Sequence, residues 1–215
     1  MIYDTVNPEI VKFILEDARP GARILDIGCG TGRLGSVLKS KIGCYITGIE
    51  IDREAAQLAQ KSYDEILVMD LEDLIHTRCE YKFDKKYDFI IFGDILEHVT
   101  DTKRLLECFS AALEKDGFVI ASIPNVANWM IRLKLLFGNF DYSGGILDQG
   151  HVRFFTYKTA RKLLEDGGYR VVRITNNNAT WIIRSLGRIW KKMFAFQFVF
   201  KCSKATNSER QKCIS

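Results

Sequence analysis

Two apolar rhythms alternate along this chain. Short, nearly unbroken aliphatic runs recur at Ile24–Ile27, Tyr45–Ile49, Glu65–Met69, Tyr87–Gly93 and Phe118–Ser122, and between them apolar positions fall at helical spacing. YDFIIFG, Tyr87 to Gly93, has almost no polar position, the pattern of a central strand covered on both faces. Ile10, Val11, Ile14 and Leu15 form a stripe opened by Asn7-Pro8, a capping residue followed by proline at the first helical position, and closed by Arg19-Pro20-Gly21. Leu34, Val37 and Leu38 predict a helix that stops near Gly43, and Arg53–Ser62 a third. Asp73–Lys86 is charged and irregular and predicts a helical turn and loop, while Thr102–Leu113 predicts a helix stopped by Lys115-Asp116-Gly117. Strand and helix in alternation imply a parallel sheet with right-handed crossovers.

After Asn125 the rhythm changes. Trp129–Phe140 is apolar and basic, and Asp141–Gly150 is rich in glycine. Thr156–Glu165 reads as a capped helix ended by Gly167-Gly168, Tyr169–Thr175 as a strand, Trp181–Met193 as an amphipathic helix carrying Arg184, Arg188, Lys191 and Lys192, and Phe194–Phe200 as the last strand. One domain over residues 1–204 is expected, with lid-like insertions near 129–150 and 176–193 and a polar, frayed tail at 205–215. A net charge of +4 on 215 residues does not argue for nucleic-acid binding. Six cysteines without C-x-x-C or metal spacing read as reduced thiols of a cytoplasmic protein. No signal peptide and no apolar run of spanning length is evident.

Candidate chemistry gathers where the strands end. RILDIGCGTGRLG, Arg23 to Gly35, reads as a buried strand, a turn with Gly28, Gly30 and Gly32 at alternate positions, and a helix start. Glycine lets a ligand lie against bare backbone. Asp26 before this turn suits a ligand with a cationic or donating end and would repel a diphosphate. The dinucleotide pattern G-x-G-x-x-G also fails at its third position, which is Arg33, so a nicotinamide oxidoreductase is disfavoured. Glu50 lies about 20 residues further on, where an acid can accept from ribose hydroxyls. Asp26–Gly32, Glu50, Asp70, Asp94 and Pro124–Asn125 all fall at the carboxyl ends of predicted parallel strands, where ligands of such sheets bind.

These motifs, D-x-G-x-G-x-G with GIEID, VMDLED and YDFIIFGDILEHV, resemble the class I S-adenosylmethionine (SAM)-dependent methyltransferases over roughly Ile24 to Lys201. The resemblance implies a Rossmann-like α/β fold with a seven-stranded, mostly parallel sheet of order 3-2-1-4-5-7-6, strand 7 antiparallel, and helices on both faces. It implies SAM as cofactor, with Asp26, Gly28, Cys29, Gly30 and Gly32 at its methionine part, Glu50 at the ribose, Asp70 and Leu71 at the adenine, and Ile51, Gly93 and Asp94 as further cofactor-binding residues, the last two in the motif beside the substrate. Within the class, DILEHV and HVRFFT are most similar to the ubiquinone-biosynthesis O-methyltransferases and to methionine-biosynthesis W-like proteins and methyltransferases of cell-surface polysaccharide clusters. O-methylation of a small-molecule or glycan hydroxyl is therefore expected. The alternative is a non-catalytic SAM-binding accessory module, which needs no acceptor pocket.

A hydroxyl nucleophile needs a base or a metal to take its proton. His98 and His151 are candidate bases, with Glu97 or Asp94 orienting them. If residues 94–98 enter a helix, Asp94, Glu97 and His98 share a face. With His151 they could hold a divalent cation, Mg²⁺ by resemblance to the small-RNA 3′-end 2′-O-methyltransferases, which carry E-x-x-E-H where this chain has D-x-x-E-H. A purely structural role for both histidines stays open. The basic, apolar stretches Trp129–Phe137 and Trp181–Met193 are expected to cover the acceptor site as a lid, or to touch an anionic membrane if the acceptor is lipid-linked.

Overall fold

The computed structural model describes residues 5–77, 79–142, 144–177 and 191–206. Strands β1 (Arg23–Ile27), β2 (Tyr45–Glu50), β3 (Glu65–Val68), β4 (Tyr87–Gly93), β5 (Leu113–Pro124), β6 (Tyr169–Asn177) and β7 (Gln197–Lys204) form one seven-stranded sheet of order β3-β2-β1-β4-β5-β7-β6. Pairings are parallel from β3 to β5, while β7 runs antiparallel to both β5 and β6. The expected Rossmann-like order is thus the observed one.

Unbroken apolar runs become central strands because each residue parity meets a different layer. In β1 and β4, Leu25, Ile27, Ile90 and Phe92 pack with α4 (Leu71–His76), α5 (Thr102–Ser110) and α7 (Tyr157–Asp166). Ile24, Phe89 and Ile91 instead meet α1 (Pro8–Asp17), α2 (Arg33–Lys41) and α3 (Arg53–Ala59) on the other face. Asn7 caps α1 through its side chain and Pro8 starts it, as expected. A further helix, α6 (Trp129–Leu136), follows β5.

Several boundaries differ from the sequence reading. Helix α3 stops at Ala59 rather than Ser62, because the chain turns to bury Tyr63. The stop expected at Lys115–Gly117 lies inside β5: Leu113 already pairs with Tyr87, and the register shift before Phe118 takes up the polar residues as a bulge. The helix expected over Thr102–Leu113 accordingly ends at Ser110. Helix α4 begins at Leu71, where Asp70 caps it, inside what reads as strand end and loop. The last strand starts at Gln197 instead of Phe194, its first residues being taken by a helical turn, Lys191–Phe194. Of the helix expected over Trp181–Met193, residues 181–190 lie outside the described residues, as does the tail beyond 206. No helix among the described residues is long and apolar enough to cross a membrane.

The six cysteines do not all behave as free thiols. Cys79 and Cys108 form a disulfide with Cα atoms 5.2 Å apart, brought together by the packing of α4 on α5 across 29 residues of sequence. Nothing in their spacing signals this. Closing a loop of that length removes chain entropy from the unfolded state worth about 3–4 kcal/mol. Cys108→Ser should therefore lower stability by about that amount in urea titrations under oxidising conditions, and by far less when wild type and variant are both reduced.

Candidate active site

The turn after β1 is laid against the end of β2. The N–H groups of Gly28 and Cys29 both donate to the carbonyl of Ile49, at 2.8 and 3.0 Å. Glu50, the last residue of β2, then clamps the turn from its side chain. Its Oε2 accepts from Gly30 N–H at 2.8 Å, and its Oε1 accepts from Ile51 and Asp52 N–H at 3.0 Å each. Gly32 precedes α2 with φ +85°, and a Cβ there would lie 2.7 Å from the backbone of Ala59, so only glycine fits on both counts.

Asp26 is 4% exposed on the opposite side of β1 from Leu25 and Ile27. Tyr63 donates its hydroxyl to Asp26 Oδ2 at 2.5 Å. Burial raises the Asp26 pKa to about 6; the Tyr63 bond pulls against that shift and the charge of Glu50 adds to it. Sequence reasoning missed Tyr63. The one trace of it is glycine at 35 and 48, since a side chain at either position would collide with the Tyr63 ring. Cys29 lines the turn, and burial followed by the charges of Asp26 and Glu50 pushes its thiol far up, so it is no nucleophile.

A cleft of about 1230 Å³ opens beyond these strand ends. Asp26, Gly28, Cys29, Gly30 and Glu50 wall one end of it, as do Thr5, Val6 and Asn7 at the start of α1. Ile51 stands 60% exposed at the wall, opposite a second apolar contribution from Met69 and Leu71. Asp70 lines the cleft and caps α4, accepting from Glu72 N–H at 2.8 Å. Gly93, Asp94 and His98 line it at the end of β4. Gly32, Glu97 and His151 are not among the lining residues.

Residues 94–98 do not form the helix that would align Asp94 with Glu97 and His98. Only Leu96–His98 turn, as one 3-10 turn, and Asp94 sits before it in the left-handed region at φ +52°. Its N–H donates to Ser122 Oγ at 3.0 Å, and its carboxylate accepts from Gln197 Nε2. Gln197 in turn accepts from Asn7 Nδ2 at 2.6 Å, which fastens the start of α1 to β7. Asp94 therefore stands outside the group formed by Glu97, His98 and His151, although its charge still acts on Glu97. Burial raises its pKa, against the pull of Ser122, Gln197 and His98.

Glu97, His98 and His151 do come together, each offering a ligand atom within 4.8 Å of the others. The segment after Gly150 is zipped onto the turn, because Val152 and Arg153 N–H both donate to Glu97 O at 2.9 and 3.0 Å. His98 Nδ1 lies 2.9 Å from Gly150 O and His151 Nδ1 3.1 Å from Ile146 O. A carbonyl can only accept, so each Nδ1 is the donor, and in the neutral ring that leaves the lone pair on Nε2. The rings meet edge to face at 4.8 Å. Burial holds the His151 pKa below the ordinary value, with His98 adding to the effect. The Glu97 carboxyl is 1% exposed and neither oxygen has a hydrogen-bond partner; His151 Nε2, at 3.9 Å, is too far to be one. Burial, with the charge of Asp94, pushes the Glu97 pKa well above the glutamate range.

No residue of α6 lines the cleft, so the lid expected at Trp129–Phe137 is not built from this helix. Tyr142, Gly144 and Asp148–Gly150, further along the same insertion, line it instead.

A family model described as a methyltransferase domain matches residues 3–174. The ubiquinone biosynthesis O-methyltransferase of Actinobacillus pleuropneumoniae serotype 7 is 32% identical over 130 residues, 56% of this chain and 54% of that protein. The mitochondrial ubiquinone biosynthesis O-methyltransferase of Homo sapiens is 28% identical over 163 residues, 70% of this chain and 42% of that protein. The chain thus spans about half the length of these relatives, and 73% of the Coxiella burnetii protein of the same name, to which it is 26% identical. Magnesium protoporphyrin IX methyltransferase from Synechocystis PCC 6803, solved with bound S-adenosylhomocysteine, superposes with a TM-score of 0.66 at 18% identity over 92% of this chain and 81% of that one. A SAM-dependent methyltransferase from Methanosarcina mazei does so with a TM-score of 0.64 at 20% identity, over 95% of this chain and 100% of that one. At these identities the two structures speak for the fold.

Asp26 makes a testable cost visible. Its folded pKa of about 6 exceeds the ordinary 3.8, so the folded state binds the proton more tightly. There is no penalty below the ordinary pKa; it grows as pH rises and is complete above about pH 6, at about 3 kcal/mol. Asp26→Asn, which still accepts from Tyr63, should be more stable than wild type by up to that amount in urea titrations at pH 8. The difference should vanish as pH falls toward 4.

Proposed function

The chain belongs to the class I SAM-dependent methyltransferases, and on that footing we propose that it methylates a hydroxyl oxygen of a small acceptor, with Glu97, His98 and His151 as ligands of a divalent cation. The observation that carries the reading is the Glu97 carboxylate. A buried acid with both oxygens unpartnered is costly, and here it faces the lone-pair nitrogen of His151 at 3.9 Å, with His98 in the same cluster. A carboxylate and two neutral imidazoles, each oriented by a backbone carbonyl, suit such a cation. The names of the ubiquinone biosynthesis O-methyltransferases support oxygen as the methylated atom.

SAM would supply a methyl group on a sulfonium, from which a neutral thioether leaves, and a divalent cation would lower the acceptor hydroxyl's pKa so that its proton passes to solvent. The chain's own residues bind and align. Glu50, with Oε2 still able to accept beside Gly30 N–H, takes the ribose hydroxyls. Ile51 and Leu71 enclose the adenine from two sides, with Asp70 at its edge. Asp26 and the bare backbone of Gly28–Gly30 hold the methionine end. Asp94, turned toward Gln197, positions the strand end next to the methyl group and stays out of the ligand set. His98, the cluster member that lines the cleft, faces the acceptor. Alignment of this kind is the main protein contribution to a displacement reaction.

Three experiments test the proposal. Glu50→Ala should weaken SAM about 5- to 150-fold in calorimetry, by leaving ligand hydroxyls without an acceptor. Metal-free protein should lose about 10²–10⁴ in the rate of methyl transfer to a catechol, with recovery on adding Mg²⁺ or Mn²⁺. His151→Ala should abolish Mn²⁺ binding seen by paramagnetic resonance while SAM affinity stays. Full transfer by demonstrably metal-free protein would remove the cation from the proposal.

A further inference from the structure

Helix α4 has six residues, Leu71 to His76, fewer than a helix needs to hold its shape alone. Its start faces the cleft, which Asp70, Leu71 and Glu72 all line. Both ends are tied to α5 and the turn before it. At the start, Glu72 Oε1 accepts from Thr100 N–H at 2.7 Å and Oε2 from the Thr100 hydroxyl at 2.6 Å. Beyond the other end, Cys79 is joined to Cys108 of α5. Cys79 stands at φ +63°, a sparsely populated conformation for a residue with a side chain, and its N–H donates to Leu74 O at 3.0 Å. Both cysteines are half-buried, and Thr77 and Glu80 close to Cys79 are exposed, so a soluble thiol can approach the bond. Exposed disulfides are the ones that exchange.

From these observations we infer that the Cys79–Cys108 bond is a site of thiol–disulfide exchange, opened by a dithiol reductant, and that its state sets the affinity for SAM. The inference goes beyond the proposed function; it rests on the placement of the adenine at Leu71, and on neither the acceptor nor the cation. One thiolate of the dithiol attacks a sulfur of the pair, the S–S bond breaks and a mixed disulfide forms; the second thiolate then displaces the cysteine. Two electrons and two protons pass to the protein, both cysteines end as thiols, and the dithiol ends as a disulfide. While the bond is closed, the end of α4 is held on α5 and its first turn stands ready for the adenine. Once it opens, α4 rests on the Glu72–Thr100 bonds and on the burial of Leu71, Leu74 and Ile75. SAM then meets a wall that is ordered for only part of the time, and its apparent affinity falls by that fraction.

The test is calorimetry of the full chain with SAM, oxidised and after reduction by dithiothreitol, because a titration reports affinity and stoichiometry separately. The thiol count in denaturant should rise by two on reduction. Reduced protein should bind SAM at least about fivefold more weakly, still at about one per chain, and removal of the reductant should restore the affinity. Cys79→Ser combined with Cys108→Ser should bind as weakly as reduced wild type, with or without reductant. Equal affinity in the two states overturns the inference, as does a double variant that still responds to reductant or a thiol count that reduction leaves unchanged. A stoichiometry that falls while the affinity holds marks general unfolding and overturns it too. Leu71→Ala separates the switch from the reading beneath it. If that variant weakens SAM and reduction does not, the adenine placement stands and the switch falls; if it binds SAM as wild type does, the placement falls and the inference with it.

Discussion

Three backbone N–H groups converge on the carboxylate of Glu50, and the mouth of the cleft depends on them. Gly30 comes from the turn after β1, Ile51 and Asp52 from the turn after β2, so one side chain joins two strand ends. Without it the β1 turn would keep the Ile49 carbonyl, which already serves Gly28 and Cys29, and the Ser62 hydroxyl on Gly32 O. The proposed ribose recognition and the loop geometry therefore draw on the same pair of oxygens. A substitution at Glu50 acts on both, and the affinity it costs is a sum of lost acceptor and loosened turn.

Much of this was legible in the sequence because it is local. The strands from β1 to β5 declare themselves by apolar runs, the caps by Asn7 and Thr156, and the candidate cofactor side is marked by Asp26, the glycines and Glu50, all within one stretch of chain. What was illegible depends on residues that meet only in three dimensions. Tyr63 reads as the end of a helix, and its bond to Asp26 spans 37 positions. Gln197 reads as part of a strand, yet it donates to the Asp94 carboxylate from 103 positions off. Helical spacing put Asp94 on the face of Glu97 and His98, but the backbone leaves the helical region at Asp94 itself. Cys79 and Cys108 show the same limit, since no motif accompanies their pairing.

The electrostatics of the rim are arranged as a contrast. Asp26 is buried with a hydroxyl donor, and Glu97 is buried with none. Both carboxyls are raised above their ordinary pKa, for the same first reason, desolvation. A buried acid with a cationic partner to come is a liability until that partner arrives, and stability given up in this way is a common feature of binding sites. The cationic SAM would relieve Asp26, and the cation proposed for the histidine cluster would relieve Glu97.

The acceptor side is attached to the cofactor side by very little. Between the end of β5 and the start of α7, some thirty residues leave the sheet, and they return to the β4 turn through the Glu97 carbonyl, which takes Val152 and Arg153, and through His98 on Gly150. The backbone of Glu97, the His98 imidazole and the Arg153 guanidinium on Thr100 O thus carry the hinge between the two halves at that turn. Such an arrangement lets lineages diverge by exchange of the excursion. A new acceptor loop needs only to end in two N–H groups and a carbonyl at the right spacing, while the sheet and the SAM half are inherited unchanged.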